Sequence, residues 1–224
     1  MQNGNKPPVW RLSKPKIVEM AKWKCEHGHT GLEHYSCWLK SNPGEETIGF
    51  LDIETTNLKA DFGIILCYAI ADDATDNVVS QVITKKDLRT CLDAKVITSC
   101  IKEMRKYDRI VGYYSTKFDI PFLRTRAIAL GLEFPEYGEI IHNDLYYTVR
   151  NKLNISSNRL DNACRTVFGA TEKTRIDADH WIKALMGDAA ALAYIQDHNI
   201  KDVQETKRLY HALETYRRKT DTTI

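Results

Sequence analysis

The sequence has no hydrophobic run long enough to cross a bilayer. Its longest apolar stretch, Ile64 to Ala71, is well short of the roughly 20 residues that a membrane-spanning helix needs. The N-terminus is polar and basic and has no apolar segment of the secretory type. These absences argue against an integral membrane protein and predict a soluble, cytoplasmic protein with no membrane partner.

Internal repeats and low-complexity tracts are also absent, which argues against a solenoid. The 224 residues, 43% of them hydrophobic and 28% charged, have the composition of an ordinary globular protein and suffice for one main domain with a small appendage. Four of the six cysteines are scattered through predicted strands and helices, as expected of reduced core thiols. They are Cys67, Cys91, Cys100 and Cys164.

The formal net charge is only +2, but the charges are unevenly distributed. Residues 1–24 carry six Lys or Arg residues against the single acidic Glu19, and a second basic stretch runs from Arg150 to Arg175. Either stretch alone is better explained as a solvated face. Together, flanking an acidic site, they suit a polyanionic partner such as a nucleic acid.

Three regions are predicted from the patterning. Residues 1–46 hold four of the six prolines, show little periodicity and are interpreted as a basic N-terminal arm. Residues 47–216 alternate strands with helices and form the main domain, and residues 217–224 form a C-terminal tail. We expect a helix from Thr84 to Met104, a helix that begins at Asp119, and a mostly helical chain from Arg159 to Tyr216.

Five strands are predicted in the main domain. Three of them precede the first helix and should form antiparallel hairpins, whereas the later strand-helix-strand units should be parallel. The expected fold is therefore α/β, with a mixed five-stranded sheet flanked by helices. The predicted strands are Ile48–Glu54, Gly63–Ala71, Val78–Ile83, Arg109–Tyr114 and Glu139–His142.

Acidic residues lie where buried strands end. In the segment GFLDIETTNL, Asp52 and Glu54 follow an apolar run and project to one face of the strand, where two like charges repel and lose solvation. Asp119 lies where the fourth strand gives way to a helix, and such strand ends form the ligand crevice of α/β sheets. In the last helix, His198 and Asp202 are four residues apart and share a face. The crowding of these acidic residues indicates that a positive charge not supplied by the sequence binds among them.

Three of these segments, FLDIETTNL, KFDIPFLRTRA and HNIKDV, resemble in order the three motifs of the DEDD (DnaQ-like) superfamily of 3′-to-5′ exonucleases, which have a ribonuclease H-like fold. The nearest likeness is to the predicted exonuclease branch of the YprB ribonuclease H-like type, related to the proofreading domains of family B polymerases. The resemblance covers about residues 47–215. It implies that the four acidic residues of the family correspond to Asp52, Glu54, Asp119 and Asp202.

The resemblance also implies the cofactors and the reaction. Two Mg²⁺ or Mn²⁺ ions would be held by the four carboxylates, with Asp52 bridging both, and would promote hydrolysis of a phosphodiester bond. The partner would be single-stranded DNA or RNA with a free 3′ end. The alternatives are a structure-selective endonuclease and an inactive nucleic-acid-binding module. Intact acidic residues argue against the latter.

Two positions depart from the family pattern. Tyr114 stands where the second motif commonly has Asn, and His198 stands at the spacing used by Tyr in one branch of the family. We expect His198 to orient or deprotonate the attacking water, whereas Asp144 is more simply a helix cap. The candidate nucleic-acid contacts are Thr55, Tyr113, Tyr114, Phe118, Arg150 and Arg159. For the aromatic residues among them, packing in the core is an equally good explanation.

A cluster of Cys and His residues lies in the N-terminal arm, in the segment CEHGHTGLEHYSC. The predicted zinc ligands are Cys25, His29, His34 and Cys37, with His27 as a rival of His29. These spacings are not those of a standard finger, so an unmetallated loop is the alternative. A bound metal would give this short segment a reason to fold.

Overall fold

The structure is a computed structural model that describes residues 7, 12–217 and 222–224. The strands are β1 (Ile48–Thr55), β2 (Ile65–Asp72), β3 (Val78–Val82), β4 (Arg109–Gly112) and β5 (Ile141–Asp144). The helices are α1 (Lys14–Lys22), α2 (Tyr35–Ser41), α3 (Lys85–Thr90), α4 (Ala94–Met104), α5 (Asp119–Ala129), α6 (Leu145–Lys152), α7 (Leu160–Phe168), α8 (Ala178–Leu185) and α9 (Ala189–Ala212).

One sheet organises the main domain, with the strand order β3-β2-β1-β4-β5. The hairpins β1-β2 and β2-β3 are antiparallel, whereas β4 runs parallel to both β1 and β5. These findings confirm the predicted mixed five-stranded sheet. The strand β1 lies in the middle, so its carboxyl end opens into the centre of one edge of the sheet.

Two hydrophobic cores flank the sheet, and α9 contributes side chains to both. Leu51 and Ile53 of β1 point into a core shared with α4 and α5, whereas Phe50 points into a second core with α7 and α9. Because strand side chains alternate, Asp52 and Glu54 share the face of Phe50, on the side of α9. The alternation therefore brings both acidic residues to the helix that carries the third motif.

The predicted helices need two corrections. The segment Thr84 to Met104 forms two helices, α3 and α4, because Leu92 has a left-handed φ of +50°. The break turns Asp93 inward, where it accepts a hydrogen bond from the backbone N–H of Ile65 at 2.9 Å and pairs with Arg126 at 2.7 Å. The chain after residue 159 is also less helical than expected, because residues 169–177, between α7 and α8, have no regular secondary structure.

The described part of the N-terminal arm packs on the main domain. A small core of the arm includes Met20, Trp38 and Leu39 and is closed by Ile141 of β5. Tyr35 donates a hydrogen bond to Asp108 at 2.8 Å, just before β4. Residues 1–6 and 8–11 of the predicted arm lie outside the described residues.

The end of the chain also contacts the sheet. Thr223 forms a bridge with Ile141, and the N–H of Ile224 donates to the carbonyl of Ile140 at 3.0 Å. Residues 218–221 of the predicted tail are not among the described residues. Within the described ranges, no helix is both long and apolar enough to cross a membrane.

Candidate active site

The acidic site is formed where β1 ends against α9. His198 and Asp202 lie one turn apart on α9, and both are buried. The Nε2 atom of His198 is 3.5 Å from Oε1 of Glu54 and 3.7 Å from Oδ2 of Asp202. One ligand atom from each of these three residues lies within 4.8 Å of the others. The end of β1 and the middle of α9 therefore form a compact group of two carboxylates and an imidazole.

Asp52 and Asp119 lie behind this group. Asn199, which the sequence did not single out, donates a hydrogen bond from Nδ2 to Oδ2 of Asp52 at 2.6 Å. Asp119 begins α5, is buried, and accepts a hydrogen bond from the backbone N–H of Ile53 at 3.0 Å. Neither carboxylate belongs to the tight group of Glu54, His198 and Asp202. Asp52 and these three residues line one crevice of the surface.

The pKa values of Asp52, Glu54 and Asp119 reflect burial and the repulsion of neighbouring carboxylates. Burial, together with the neighbouring Asp119, raises the pKa of Asp52 well above its usual value. Burial and the charge of Asp202 raise the pKa of Glu54 to about 8. Burial raises the pKa of Asp119 to about 7, although its hydrogen bond from Ile53 opposes that shift. The site therefore concentrates more negative charge than the protein compensates.

Lys173 supplies a positive charge that the sequence analysis missed. It lies in the segment between α7 and α8, and its ammonium pairs with Oδ2 of Asp202. Burial by itself lowers the pKa of Lys173, but Asp202 and Asp52 outweigh burial and raise it. The sequence indicated Lys173 only as one member of the basic stretch from Arg150 to Arg175. Because this segment shows no periodicity, the sequence does not predict which way its side chains point.

His198 is held in a defined orientation. Its Nδ1 lies 2.7 Å from the hydroxyl oxygen of Thr174, the residue after Lys173, so Nε2 points toward the carboxylates. Burial lowers the pKa of His198, Asp202 opposes that shift, and Lys173 adds to it. The imidazole is therefore neutral near pH 7. Asp197, one residue earlier, is directed away from the site, where it pairs with Lys201 at 2.6 Å.

A crevice of about 900 Å³ opens above the acidic group. Three of the predicted nucleic-acid contacts, Tyr113, Tyr114 and Arg159, line it. The other lining side chains are aromatic or basic as well as acidic and include Tyr146, Arg165, Arg175 and Trp181. An acidic floor with aromatic and cationic walls can accept a flexible polyanion with unstacked bases.

Three other predicted contacts do not line this crevice. The hydroxyl of Thr55 donates to the carbonyl of Asn57 at 2.8 Å, within the loop after β1. Phe118 packs partly buried against the core beside Phe122. Arg150 is exposed at the end of α6. For Phe118, core packing was the alternative explanation from the sequence.

Tyr114 departs from the family pattern and adopts an unusual backbone conformation. Its φ is +64°, a left-handed value that is uncommon for a residue of this size. Asp144 stabilises this turn by accepting hydrogen bonds from the N–H groups of Tyr114 at 2.8 Å and Thr116 at 2.9 Å. Asp144 also caps α6 through the N–H of Tyr146, which confirms the predicted capping role.

The Cys and His cluster of the arm forms a second group, with one change from the predicted set. The side chains that meet are Cys25, His27, His34 and Cys37, so His27 takes the place predicted for His29. The reason is the turn at Gly28, where a φ of +80° and a hydrogen bond to the carbonyl of Cys25 at 2.9 Å hold His27 beside that cysteine. Spacing alone did not distinguish the two histidines.

The carboxylate group fits a divalent metal ion better than it fits a self-contained hydrogen-bond network. The Oδ1 atom of Asp202 is buried and has no hydrogen-bond partner among the described residues. A buried oxygen without a partner is costly unless something positive reaches it. Oxygen ligands of this kind are those that Mg²⁺ and Mn²⁺ prefer.

Comparison with known proteins identifies the fold family. No curated protein matches the chain. Among solved structures, the chain is similar to the family B DNA polymerase from the hyperthermophilic archaeon Pyrobaculum calidifontis, with a TM-score of 0.61 and 21% sequence identity. The similarity covers 75% of this chain and 24% of that one, so the chain spans about a quarter of the polymerase.

The family comparison agrees with the fold and with the resemblance of the motifs. A model described as the RNase_H superfamily matches residues 49–214, which is more than half of the chain and includes β1, β4, α5 and α9. The match confirms the predicted ribonuclease H-like fold. By this match and by the topology of its sheet, the chain belongs to the RNase_H superfamily.

Proposed function

We propose that this protein is a metal-dependent nuclease that removes nucleotides from the 3′ end of single-stranded DNA or RNA. The observation that carries the proposal is the meeting of Glu54, at the end of β1, with His198 and Asp202 of α9, with Asp52 lining the same crevice. The superfamily generally uses divalent metals, and the polymerase similarity is to a protein that acts on DNA. The 3′ polarity rests on the resemblance of the three motifs.

Each side chain has a defined part in this proposal. Asp52, Glu54, Asp119 and Asp202 would hold two Mg²⁺ or Mn²⁺ ions. When bound, the ions stabilise the attacking and leaving oxygens of a displacement at phosphorus. Lys173 balances the carboxylates and orients Asp202. With Nδ1–H of His198 donating to Thr174, the Nε2 lone pair accepts the proton of the attacking water.

The walls of the crevice support a single-stranded substrate. Tyr113, Tyr114 and Tyr146 are close neighbours, with ring centroids of the last two 4.9 Å apart. The ring of Tyr114 is exposed enough for a base to stack on it. Arg159 and Arg175 add positive charge for the phosphate backbone. A rigid duplex presents no unstacked base to such walls, so we expect a preference for single strands.

The test is the cleavage pattern of purified protein on matched DNA and RNA single strands that carry a 5′ label. We expect a ladder that shortens from the 3′ end in Mg²⁺ or Mn²⁺ and no products in EDTA. A substrate with a blocked 3′ terminus should be resistant. Internal cuts on the blocked substrate would instead identify an endonuclease, and binding without cleavage would identify an inactive binding module.

A further inference from the structure

We propose that Cys25, His27, His34 and Cys37 form a structural zinc site that holds the N-terminal arm in its fold. The Sγ atom of Cys25 is 3.7 Å from Nδ1 of His27 and 3.6 Å from Nδ1 of His34. The Sγ atom of Cys37 is 3.7 Å and 3.3 Å from the same two nitrogens. The four atoms thus alternate sulfur and nitrogen around a closed ring.

These distances match the edges of a tetrahedral zinc site. Zinc bonds of about 2.3 Å to sulfur and 2.0 to 2.1 Å to nitrogen place sulfur and nitrogen about 3.6 Å apart across a tetrahedral angle. The four ligand atoms lie within 4.8 Å of one another, which leaves room for one ion at their centre. Hydrogen bonds explain the ring less well, since each Nδ1 atom is either a donor or an acceptor and protons cannot occupy all four contacts at once.

The types of the four ligands indicate which metal the site would bind. Two thiols and two imidazoles form the Cys₂His₂ set that zinc binds as four-coordinate structural sites. No carboxylate belongs to this group, in contrast to the oxygen-rich group at the end of β1. Cys25 and Cys37 can both lose their protons and bind as thiolates.

The backbone around the site is built to present the four ligands. Lys24 pairs with Thr30 across a short antiparallel turn, and the N–H of Cys25 donates to the carbonyl of His29 at 2.9 Å. The first two ligands lie in this turn. His34 occupies the position just before α2 and Cys37 lies in the first turn of that helix, so the start of α2 supplies the other two ligands. Oε1 of Glu26 lies 3.8 Å from Nε2 of His27 and can orient that ring.

The part of the arm that the structure describes has only a small core to hold this segment together. Its core contributes only a few fully buried side chains, and a core of that size rarely stabilises a fold alone. The close contact of Gly31 with Trp38 and Met20, where an added Cβ would come within 3.0 Å and 3.2 Å, ties the loop between the ligands to that core. Losing the metal should therefore unfold the arm locally and leave the sheet intact.

The test compares His27→Ala with His29→Ala, because the two histidines are close in sequence and only one belongs to the ring. In protein purified without chelator, elemental analysis should find about one zinc per chain in the wild type and in His29→Ala. His27→Ala and Cys25→Ser should each fall below about a tenth of that content. Limited proteolysis should show the arm cleaved faster in both of these variants.

Two further variants keep the proposal falsifiable. His27→Cys replaces one ligand with another and should retain zinc, even if the alanine variant folds poorly. Asp202→Asn changes the acidic crevice and should also retain zinc, so a failed nuclease would not count against the arm. Folded wild type without zinc, equal zinc loss in His27→Ala and His29→Ala, or zinc loss only in Asp202→Asn would each overturn the proposal.

Discussion

The acidic crevice and the Cys/His cluster of the arm are both groups of metal-ligand side chains, yet the chain builds them in opposite ways. The crevice collects oxygens from β1 and α9, which are far apart in sequence and meet only when the sheet is complete. The arm collects sulfur and nitrogen from the thirteen residues of one segment, Cys25 to Cys37. The first group depends on the whole fold, whereas the second is local.

The energetic relation to the fold also differs. Burial and neighbouring carboxylates raise the pKa values of Asp52, Glu54 and Asp119, so without metal the ionised forms of these three groups oppose folding. The arm has a small core that a metal would complete. Strain that the fold tolerates is typical of a functional site, and ligands that substitute for a core are typical of a structural one. Variants should therefore affect chemistry in the crevice and stability in the arm.

The largest effect is expected from Asp52→Asn. Removing this charge should lower cleavage by more than about 10⁴-fold, because the carboxylate would no longer hold metal. Without metal the variant should be at least as stable as the wild type, since burial, which raises the pKa of Asp52, disfavours a carboxylate but not a neutral amide. Rates, urea unfolding in EDTA and zinc content would be measured together. The matched control is Asp197→Asn, which changes an exposed carboxylate on α9 that pairs with Lys201.

A wild-type rate in Asp52→Asn would contradict the metal-binding role of the crevice. Loss of zinc together with activity in Asp52→Asn would show that the crevice and the arm are not independent of each other. Loss of activity with normal zinc content and normal circular dichroism would show that Asp52 acts in the crevice alone.

His198→Ala should reduce the rate by about 10² to 10⁴-fold, the usual contribution of a general base. The metals that the carboxylates would hold also acidify water, so the reaction should be slowed and not abolished. His198→Tyr should be faster than the alanine variant, because Tyr occupies this spacing in one branch of the resembling family. His211→Ala, at an exposed position of α9 that pairs with Asp73, is the control. An unchanged rate in His198→Ala under chemistry-limited conditions would make His198 a bystander.

Lys173→Ala should destabilise the metal-free protein by about 3 kcal/mol, because removing one partner of a buried ion pair leaves the other uncompensated. Added Mg²⁺ should reverse most of the loss by supplying positive charge to the same carboxylates. Lys183→Ala, which breaks an exposed pair with Asp179, should leave the stability nearly unchanged, because water screens such a pair. If urea midpoints in EDTA are the same for Lys173→Ala and Lys183→Ala, Lys173 does not balance the crevice.

The pH dependence of stability should also separate the two regions. Glu54, with a pKa of about 8, and Asp119, with a pKa of about 7, keep protons in the folded metal-free protein that they lose on unfolding. The folded state therefore binds more protons, and its stability falls as pH rises toward 8. Burial lowers the pKa of His142 to about 4, which acts in the opposite direction below its unfolded value. The informative window is therefore about pH 6.5 to 8.

In EDTA, urea unfolding should show a loss of about 2 kcal/mol across that window, given about 1.4 kcal/mol for each pKa unit. Saturating Mg²⁺ should abolish the loss, and Glu54→Gln should remove most of it without metal. Stability that is flat or rises with pH in EDTA would show that these carboxylates are ionised in the folded protein.

The sequence predicted the features that depend on local patterns. Alternation along Phe50 to Glu54 placed both acidic side chains on one face, and helical spacing placed His198 beside Asp202. Lys173 could not be found in this way, because it lies in a segment without regular secondary structure, whose position depends on packing between α7, α8 and α9. The break at Leu92 was missed because it depends on contacts of Asp93 with the sheet and with Arg126.

The arm shows the same limit on a smaller scale. The spacing of Cys25, His34 and Cys37 predicted a four-ligand group but did not decide between His27 and His29, since both lie within reach of the cysteines along the chain. The turn at Gly28 decided it. Ligand types are visible in a sequence, whereas the choice among near neighbours depends on backbone conformation.

The decisive measurement is the metal dependence of cleavage for wild type and Asp202→Asn, purified side by side. A 5′-labelled single strand would be incubated with increasing Mn²⁺ after removal of bound metal by EDTA. For the wild type, a metal-dependent nuclease in the acidic crevice predicts a rate that rises from zero and saturates with Mn²⁺. Asp202→Asn should stay more than about 10³-fold slower at every concentration. Equal rates in the two proteins, or cleavage that persists in EDTA, would contradict the proposal that the acidic crevice carries out metal-dependent cleavage.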